Sequence, residues 1–218
     1  MENAAKALQI AGGVLLSLMI LGLIVFSYNN WKSLGQNEHQ LEVEAQAVDF
    51  NKQFDMYMKN GVYGTEILSL ANKINNYNSS VGLSLSENQK GYSTITLQIK
   101  IKKMDNAKYF NENNNYSSVD IGNKYYNLIR DISTTGSTKY KCTSGNDKYA
   151  RGTELTIAQW YQAKREAPED VVNKLETYEN LLNEQTDFAR KLFDIEADKT
   201  VYDNTGRITE LCFKDKEL

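Results

Sequence analysis

The chain offers few side chains of the types that carry catalysis or hold metals. It has a single histidine, His39, so a multi-histidine metal site cannot form and any nucleophile–histidine–acid set would need His39. The two cysteines, Cys142 and Cys212, lie too far apart in the sequence to form a typical zinc-binding pair. No glycine-rich phosphate or dinucleotide motif occurs. The sequence therefore predicts no catalytic residue, no cofactor and no metal.

Acidic side chains are the remaining candidates for chemistry. The run Asp203-Asn-Thr-Gly206 contains calcium-ligand residue types but lacks the spacing of an EF-hand loop, so we expect a turn. Glu38, Glu42 and Glu44 are expected to form the solvated face of a helix. Hydrolysis by paired carboxylates needs two carboxyl groups about 5–10 Å apart in a cleft, and no feature of the sequence points to such a pair.

The first element of the chain is an apolar segment. Residues 7–31 contain no charged side chain, and an apolar helix of about 20 residues crosses a bilayer core of roughly 30 Å. Tyr28 and Trp31 end the segment, where aromatic side chains favour the membrane interface. The apolar run is longer than that of a cleaved signal peptide, the alternative, and no small-residue cleavage site follows it. The sequence thus predicts an uncleaved single-pass anchor in contact with membrane lipid.

This anchor would divide the chain into four parts. Residues 1–6 are expected to stay cytoplasmic, because Lys6 and the α-amino group precede the span. Residues 32–60 are expected to continue the anchor as an amphipathic helix, and residues 61–218 to form an extracytoplasmic domain. The net charge of −3, with both signs interspersed, gives no basic surface for nucleic acid.

Cysteine usage depends on that predicted location. In an oxidising compartment Cys142 and Cys212 favour a disulfide bond, and two buried free thiols are the alternative.

An amphipathic helix is predicted over residues 37–59. Its apolar side chains are spaced alternately by four and three positions, as Val43, Ala47, Phe50, Phe54 and Tyr57. This stripe either packs on the chain's own domain or associates with other copies. In the apolar segment, small residues that would let helices approach closely are Gly12, Gly13 and Gly22.

The remaining pattern predicts an α+β domain. Residues 94–102 alternate apolar and polar side chains, which predicts a strand with one buried face, and Val81, Leu83 and Leu85 predict a partner strand joined through a turn at 87–91. Residues 105–118 are predicted to form a loop. Helices are predicted over 65–77, 121–132, 155–165 and 168–190, and further strands over 137–143, 148–151, 192–202 and 207–214.

This layout resembles that of type IV pilin-like and pseudopilin-like subunits. The resemblance rests on the apolar residues 7–28, the amphipathic residues 37–59, the strand over 92–103 and the two cysteines, and it involves no prepilin leader motif. It implies a long N-terminal transmembrane-plus-amphipathic helix and a small α+β domain with an antiparallel sheet, packed helices and a stapling disulfide. It also implies assembly with copies of the chain or related subunits through the N-terminal helix.

The resemblance implies a non-enzymatic, membrane-anchored surface protein, a structural subunit of a filament or of a secretion-type assembly. The alternative is a tethered extracytoplasmic binding or accessory domain that does not polymerise.

Overall fold

The computed structural model describes residues 19–20, 23–24, 26–27, 41–84 and 94–218, which belong to two units, Met1–Phe50 and Asn51–Leu218. In chain order the helices and strands are α1 (41–52), β1 (Val62–Tyr63), α2 (Gly64–Ser84), β2 (Thr96–Ile101), β3 (Asn114–Ser117), α3 (Ser118–Ser137), β4 (Lys139–Lys141), β5 (Glu154–Thr156), α4 (Ile157–Gln162), α5 (Glu169–Val172), α6 (Glu176–Arg190), β6 (Leu192–Ile195), β7 (Val201–Tyr202) and β8 (Ile208–Asp215). Short 3-10 turns cover Asp55–Tyr57 and Ala197–Lys199.

A mixed six-stranded sheet forms the centre of the second unit. Its strand order is β1-β6-β8-β2-β3, and β7 also pairs with β8. The neighbouring strands β2 and β8 run parallel, whereas the other pairs are antiparallel. The prediction of an antiparallel sheet is therefore wrong at this central pair, because the chain makes α3, α4, α5 and α6 between the two strands and returns in the same direction.

The alternating pattern of β2 determines which face of the sheet is buried. Leu97, Ile99 and Ile101 are buried while the residues between them are exposed. Opposite Leu97 and Ile99 in the parallel register are Leu211 and Phe213 of β8, also buried. Helices α2, α3 and α6 pack on one another, and α2 and α3 also contact the sheet.

Helix α2 is longer than predicted. It continues to Ser84, so Val81 lies in a helix and the predicted strand through Val81, Leu83 and Leu85 is wrong. Val81 is buried in that helix, which shows that a short run of alternating apolar residues suits a helix face as well as a strand. The predicted turn at 87–91 lies outside the described residues.

Helix α3 begins where the predicted loop ends. Ser117 and Asp120 form a reciprocal capping box at its first turn. Strand β3 lies inside the predicted loop. It was missed because only Tyr116 in that strand is buried, between polar and exposed neighbours.

A smaller core lies around the β4–β5 hairpin. Trp160 is fully buried there, and its ring N–H donates to the carbonyl oxygen of Tyr140 at 3.0 Å. The predicted second strand of this hairpin is shifted, since β5 covers Glu154–Thr156 instead of 148–151. The predicted helix over 168–190 is split into α5 and α6, with a turn between Val172 and Glu176.

The predicted membrane-spanning helix is contradicted. Across residues 19–20, 23–24, 26–27, 41–84 and 94–218, no helix combines the length and the apolar character needed to cross a bilayer. The long described helices α2 and α3 carry charged residues, for example Lys73 and Arg130, which a bilayer core excludes. Most of residues 7–31 lies outside the described part. The predicted single-pass placement with an extracytoplasmic domain, which depends on that helix, is wrong as well. The fold is α+β with a mixed sheet.

The predicted disulfide is also wrong. Cys142 and Cys212 are both free and both buried. Cys142 belongs to the small core around Trp160, whereas Cys212 lies in β8, opposite Gln98 of β2. The two thiols are held in separate parts of the unit, with Cys142 donating to the carbonyl oxygen of Ala150 at 3.3 Å.

Candidate functional site

The structure describes only some of the residues that the sequence predicts to mediate helix contacts. Phe54 is fully buried and Tyr57 is 4% exposed, both within the second unit. In α1, Ala47 is buried and Val43 and Phe50 are half-buried. Association through this stripe stays a prediction. The predicted packing and interface residues Gly12, Gly13, Gly22, Tyr28 and Trp31 lie outside the described residues, as does His39.

The described helical residues of the first unit carry an exposed apolar surface. Its large apolar side chains are each between 49% and 67% exposed: Met19, Ile20, Leu23, Ile24, Phe26, Leu41 and Val48. Leu41 and Val48 are about two turns apart, so they share one face of α1 with Ala45 between them. At 100° per residue this face is opposite the half-buried Val43 and Phe50. Helix α1 therefore has two apolar faces, of which one is exposed.

The second candidate site is a cleft at one edge of the sheet, which we call the edge cleft. The carboxyl ends of the parallel strands β2 and β8 meet at this edge, together with the carboxyl end of α6. The cleft has a volume of about 630 Å³. Most of its lining is charged, and consists of Lys102, Lys103, Met104, Asp105, Asn113, Asp187, Arg190, Lys191 and Glu217.

A buried ion pair lies beside this lining. The side chain of Asp215 is fully buried and that of Lys191 is 10% exposed, with Nζ 2.7 Å from the carboxylate. The same carboxylate accepts the backbone N–H groups of Lys102 and Glu217, each at 3.1 Å. Through these contacts Asp215, at the end of β8, is joined to the residue after β2 and to the residue before β6. Removing either partner of the ion pair would leave an uncompensated buried charge.

The cations of the edge cleft differ in how far they are neutralised. Glu217 lies 3.6 Å from Nζ of both Lys102 and Lys191, so those two lysines have acidic partners. Lys103 and Arg190 make no ion pair with any other residue in the described part of the chain. They come from different elements, the segment after β2 and the last residue of α6, and both are exposed.

Two further acids hold loops in place. The carboxylate of Glu184, 3% exposed, accepts the consecutive backbone N–H groups of Lys108, Tyr109 and Phe110 at 2.8, 2.7 and 2.9 Å. This ties the loop after β2 to α6. From sequence alone Glu184 looks like a surface acid, and the only available signal was its position among the buried residues Leu181 and Phe188 of α6.

Asp170 of α5 holds the loop after β4. The hydroxyl of Ser144 donates to its carboxylate, as do the backbone N–H and the hydroxyl of Thr143 at 2.7 and 2.8 Å. These hydrogen bonds, led by that from Ser144, keep the pKa of Asp170 well below its usual 3.8. These donors, with the Tyr140 hydroxyl and the Ser144 backbone N–H, all belong to the chain itself, so the arrangement is a structural clasp for the loop.

The two thiols are poor candidates for redox or nucleophilic chemistry. Burial, followed by the nearby Glu210 carboxylate, raises the pKa of Cys212 to about 11. A thiol with such a pKa is almost entirely protonated at neutral pH, and the protonated form is a weak nucleophile. Within the described residues, no group of three or more histidine, cysteine or acidic side chains is placed to hold a metal ion.

The chain matches no protein-family model, no curated protein and no solved structure. Function is therefore inferred from the geometry of the exposed apolar surface and of the edge cleft.

Proposed function

We propose that the chain is a non-enzymatic structural subunit that assembles with further copies, or with related subunits, through helices of its first unit. The observation that carries this proposal is the exposed apolar surface, whose large side chains are 49–67% exposed. Large apolar side chains exposed at helical spacing, such as Met19, Ile20, Leu23 and Ile24, usually mark an interaction site, because leaving apolar area in water costs about 25 cal/mol per Å².

The two apolar faces of α1 suggest how one subunit would contact another. A helix that only packs on its own chain needs one apolar stripe. In α1 the second face, with Leu41 and Val48 exposed, is available to a helix of another subunit. Assembly through an N-terminal helix is also what the resemblance to pilin-like subunits implies.

Disulfide trapping tests the proposal on the full chain. Under mild oxidation Leu41→Cys and Val48→Cys are each expected to give a disulfide-linked dimer, and the double variant a ladder, because repeated subunits would bring these positions together. The matched control is Ser133→Cys, an exposed position on α3, which should stay uncrosslinked. The native cysteines are buried and interfere little. Monomers alone, or equal dimer formation by Ser133→Cys, would reject assembly through this surface.

The edge cleft favours a second candidate, a binding or accessory domain that does not polymerise. It predicts that the full chain binds a ligand at the cleft while the Leu41→Cys and Val48→Cys variants remain uncrosslinked. Ligand titration of those same variants, before and after oxidation, distinguishes the two candidates.

A further inference from the structure

We propose that the edge cleft is a binding site for an acidic polypeptide segment, with Lys103 and Arg190 pairing with its carboxylate side chains. The cleft is lined by four cations, Lys102, Lys103, Arg190 and Lys191, and by the three acids Asp105, Asp187 and Glu217. Lys103 and Arg190 are the two whose side chains have no ion-pair partner among the described residues, so they are available to a ligand.

Two further lysines lie on the sheet next to the cleft. Lys100 of β2 and Lys214 of β8 are register partners in the parallel pair, and both are exposed. Like charges placed directly opposite one another across a strand pair are unfavourable. Each precedes the last residue of its strand by one position, so this pair borders the edge on which the cleft opens. Lys214 is also the register partner of Asp194 of β6, whereas the other partner of Lys100 is Asn115 of β3, so Lys100 is the charge that an acidic ligand would meet here.

The backbone around the cleft argues for a polypeptide over a phosphate group. Phosphate sites are usually built from free backbone N–H groups at a helix N-terminus. Here α6 presents its carboxyl end, which offers carbonyl groups and no free backbone N–H donors. The backbone N–H groups of Lys102 and Lys103 are already used by Asp215 and Asn113, at 3.1 and 2.7 Å. Anions can therefore be held only by long side chains, which suits carboxylates spread along a chain.

The acids of the cleft further restrict the chemical class of the ligand. Asp105 and Asp187 line the same space without an ion pair to any described residue. A ligand with only negative charge would be repelled by them. A polypeptide can donate its backbone N–H groups to these two carboxylates while its own acidic side chains pair with Lys103 and Arg190, so it satisfies both sets of groups.

The test uses the full chain and a fluorescein-labelled peptide of alternating Glu and Gly, followed by fluorescence anisotropy at low salt. Lys103→Glu and Arg190→Glu are each expected to weaken binding about five- to tenfold, since each replaces an attraction by a repulsion. Lys139→Glu is the matched control, because Lys139 is an exposed lysine of β4 outside the cleft. It should change the affinity less than about twofold.

Several results would overturn the proposal. These are no binding of the Glu peptide, equal binding of the corresponding Gln peptide, or an equal loss of affinity in Lys139→Glu. Displacement of the peptide by inorganic phosphate at matched ionic strength, or tighter binding of an oligonucleotide, would assign the cleft to another anion and equally reject an acidic polypeptide. Circular dichroism of each variant confirms that the fold is retained.

Discussion

A Cβ atom on Gly64 would lie 1.9 Å from the carbonyl oxygen of Phe188, so the first residue of α2 and the last turn of α6 approach to a distance that only glycine allows. The backbone N–H of Gly64 donates to the carbonyl oxygen of Lys191 at 2.9 Å, which fixes the approach. The ring of Phe188 stacks on Phe110 with 4.7 Å between centroids, so this contact lies within the main core.

Replacing Gly64 by alanine is therefore expected to destabilise the fold by at least about 2 kcal/mol, because the added methyl group meets backbone that must move. The measurement is chemical denaturation. Gly82→Ala, in the same helix, is the control: its Cβ would meet nothing within 4 Å. That variant should be neutral or gain about 0.5–1 kcal/mol from helix propensity. Equal stability of the two variants would show that the Gly64 contact is absent.

Removing the Glu184 carboxylate should release the loop that it holds. Glu184→Ala leaves the backbone N–H groups of Lys108, Tyr109 and Phe110 without their acceptor, and we expect a loss of about 3 kcal/mol. Hydrogen exchange should speed up at these three amides. The control Asn183→Ala changes an exposed neighbour on α6 and should leave the exchange unchanged. Slow exchange in Glu184→Ala would contradict the contact.

The Asp170 clasp predicts a pH dependence of stability. The folded pKa of Asp170 lies below its usual 3.8, so its stabilising effect is full above pH 3.8 and is lost as the pH falls below that value towards the folded pKa. Asp170→Asn should therefore be less stable than the parent chain at neutral pH, with the difference shrinking below pH 3.8. Urea denaturation across this range measures it.

Asp147→Asn is the control for that experiment. It removes an exposed carboxylate from the same loop and should change stability little at either end of the range. A difference between Asp170→Asn and the parent that stays constant with pH would contradict the clasp.

The cysteines should be unreactive until the chain unfolds. With the pKa of Cys212 at about 11, roughly one thiol in ten thousand is ionised at neutral pH, and Cys142 is only 2% exposed. Iodoacetamide should label neither residue in the folded chain and both in guanidinium, without any reductant. Labelling that requires a reductant would reveal a disulfide, and mass spectrometry distinguishes the outcomes.

Local pattern was sufficient for the elements whose burial follows a regular period. The alternation over 94–102 located β2, and the turn residues at 203–206 located the turn before β8, where Gly206 has a φ of 83°. The sequence also located α3 through its apolar face. It failed at β3, whose polar residues join the sheet because β2 offers them a free edge.

Long-range relationships could not be derived from one sequence. The parallel pairing of β2 with β8 depends on how the intervening helices pack, which no local period reports. The burial of Glu184 and Asp215 depends on backbone N–H groups and a lysine brought in by distant segments. The edge cleft is made of such segments, so its lining was not predicted.

The central position of β8 has a consequence for how the chain folds as it is made. This strand lies between β6 and β2, so the sheet lacks its central strand until residues 208–215 have left the ribosome. Until then β2 can pair with β3 but exposes its other edge, and Leu97 and Ile99 lack their neighbours Leu211 and Phe213. At a synthesis rate of about 5–20 residues per second, one edge of β2 thus stays unpaired for several seconds. Ribosome-stalled chains lacking β8 should bind chaperones that completed chains do not.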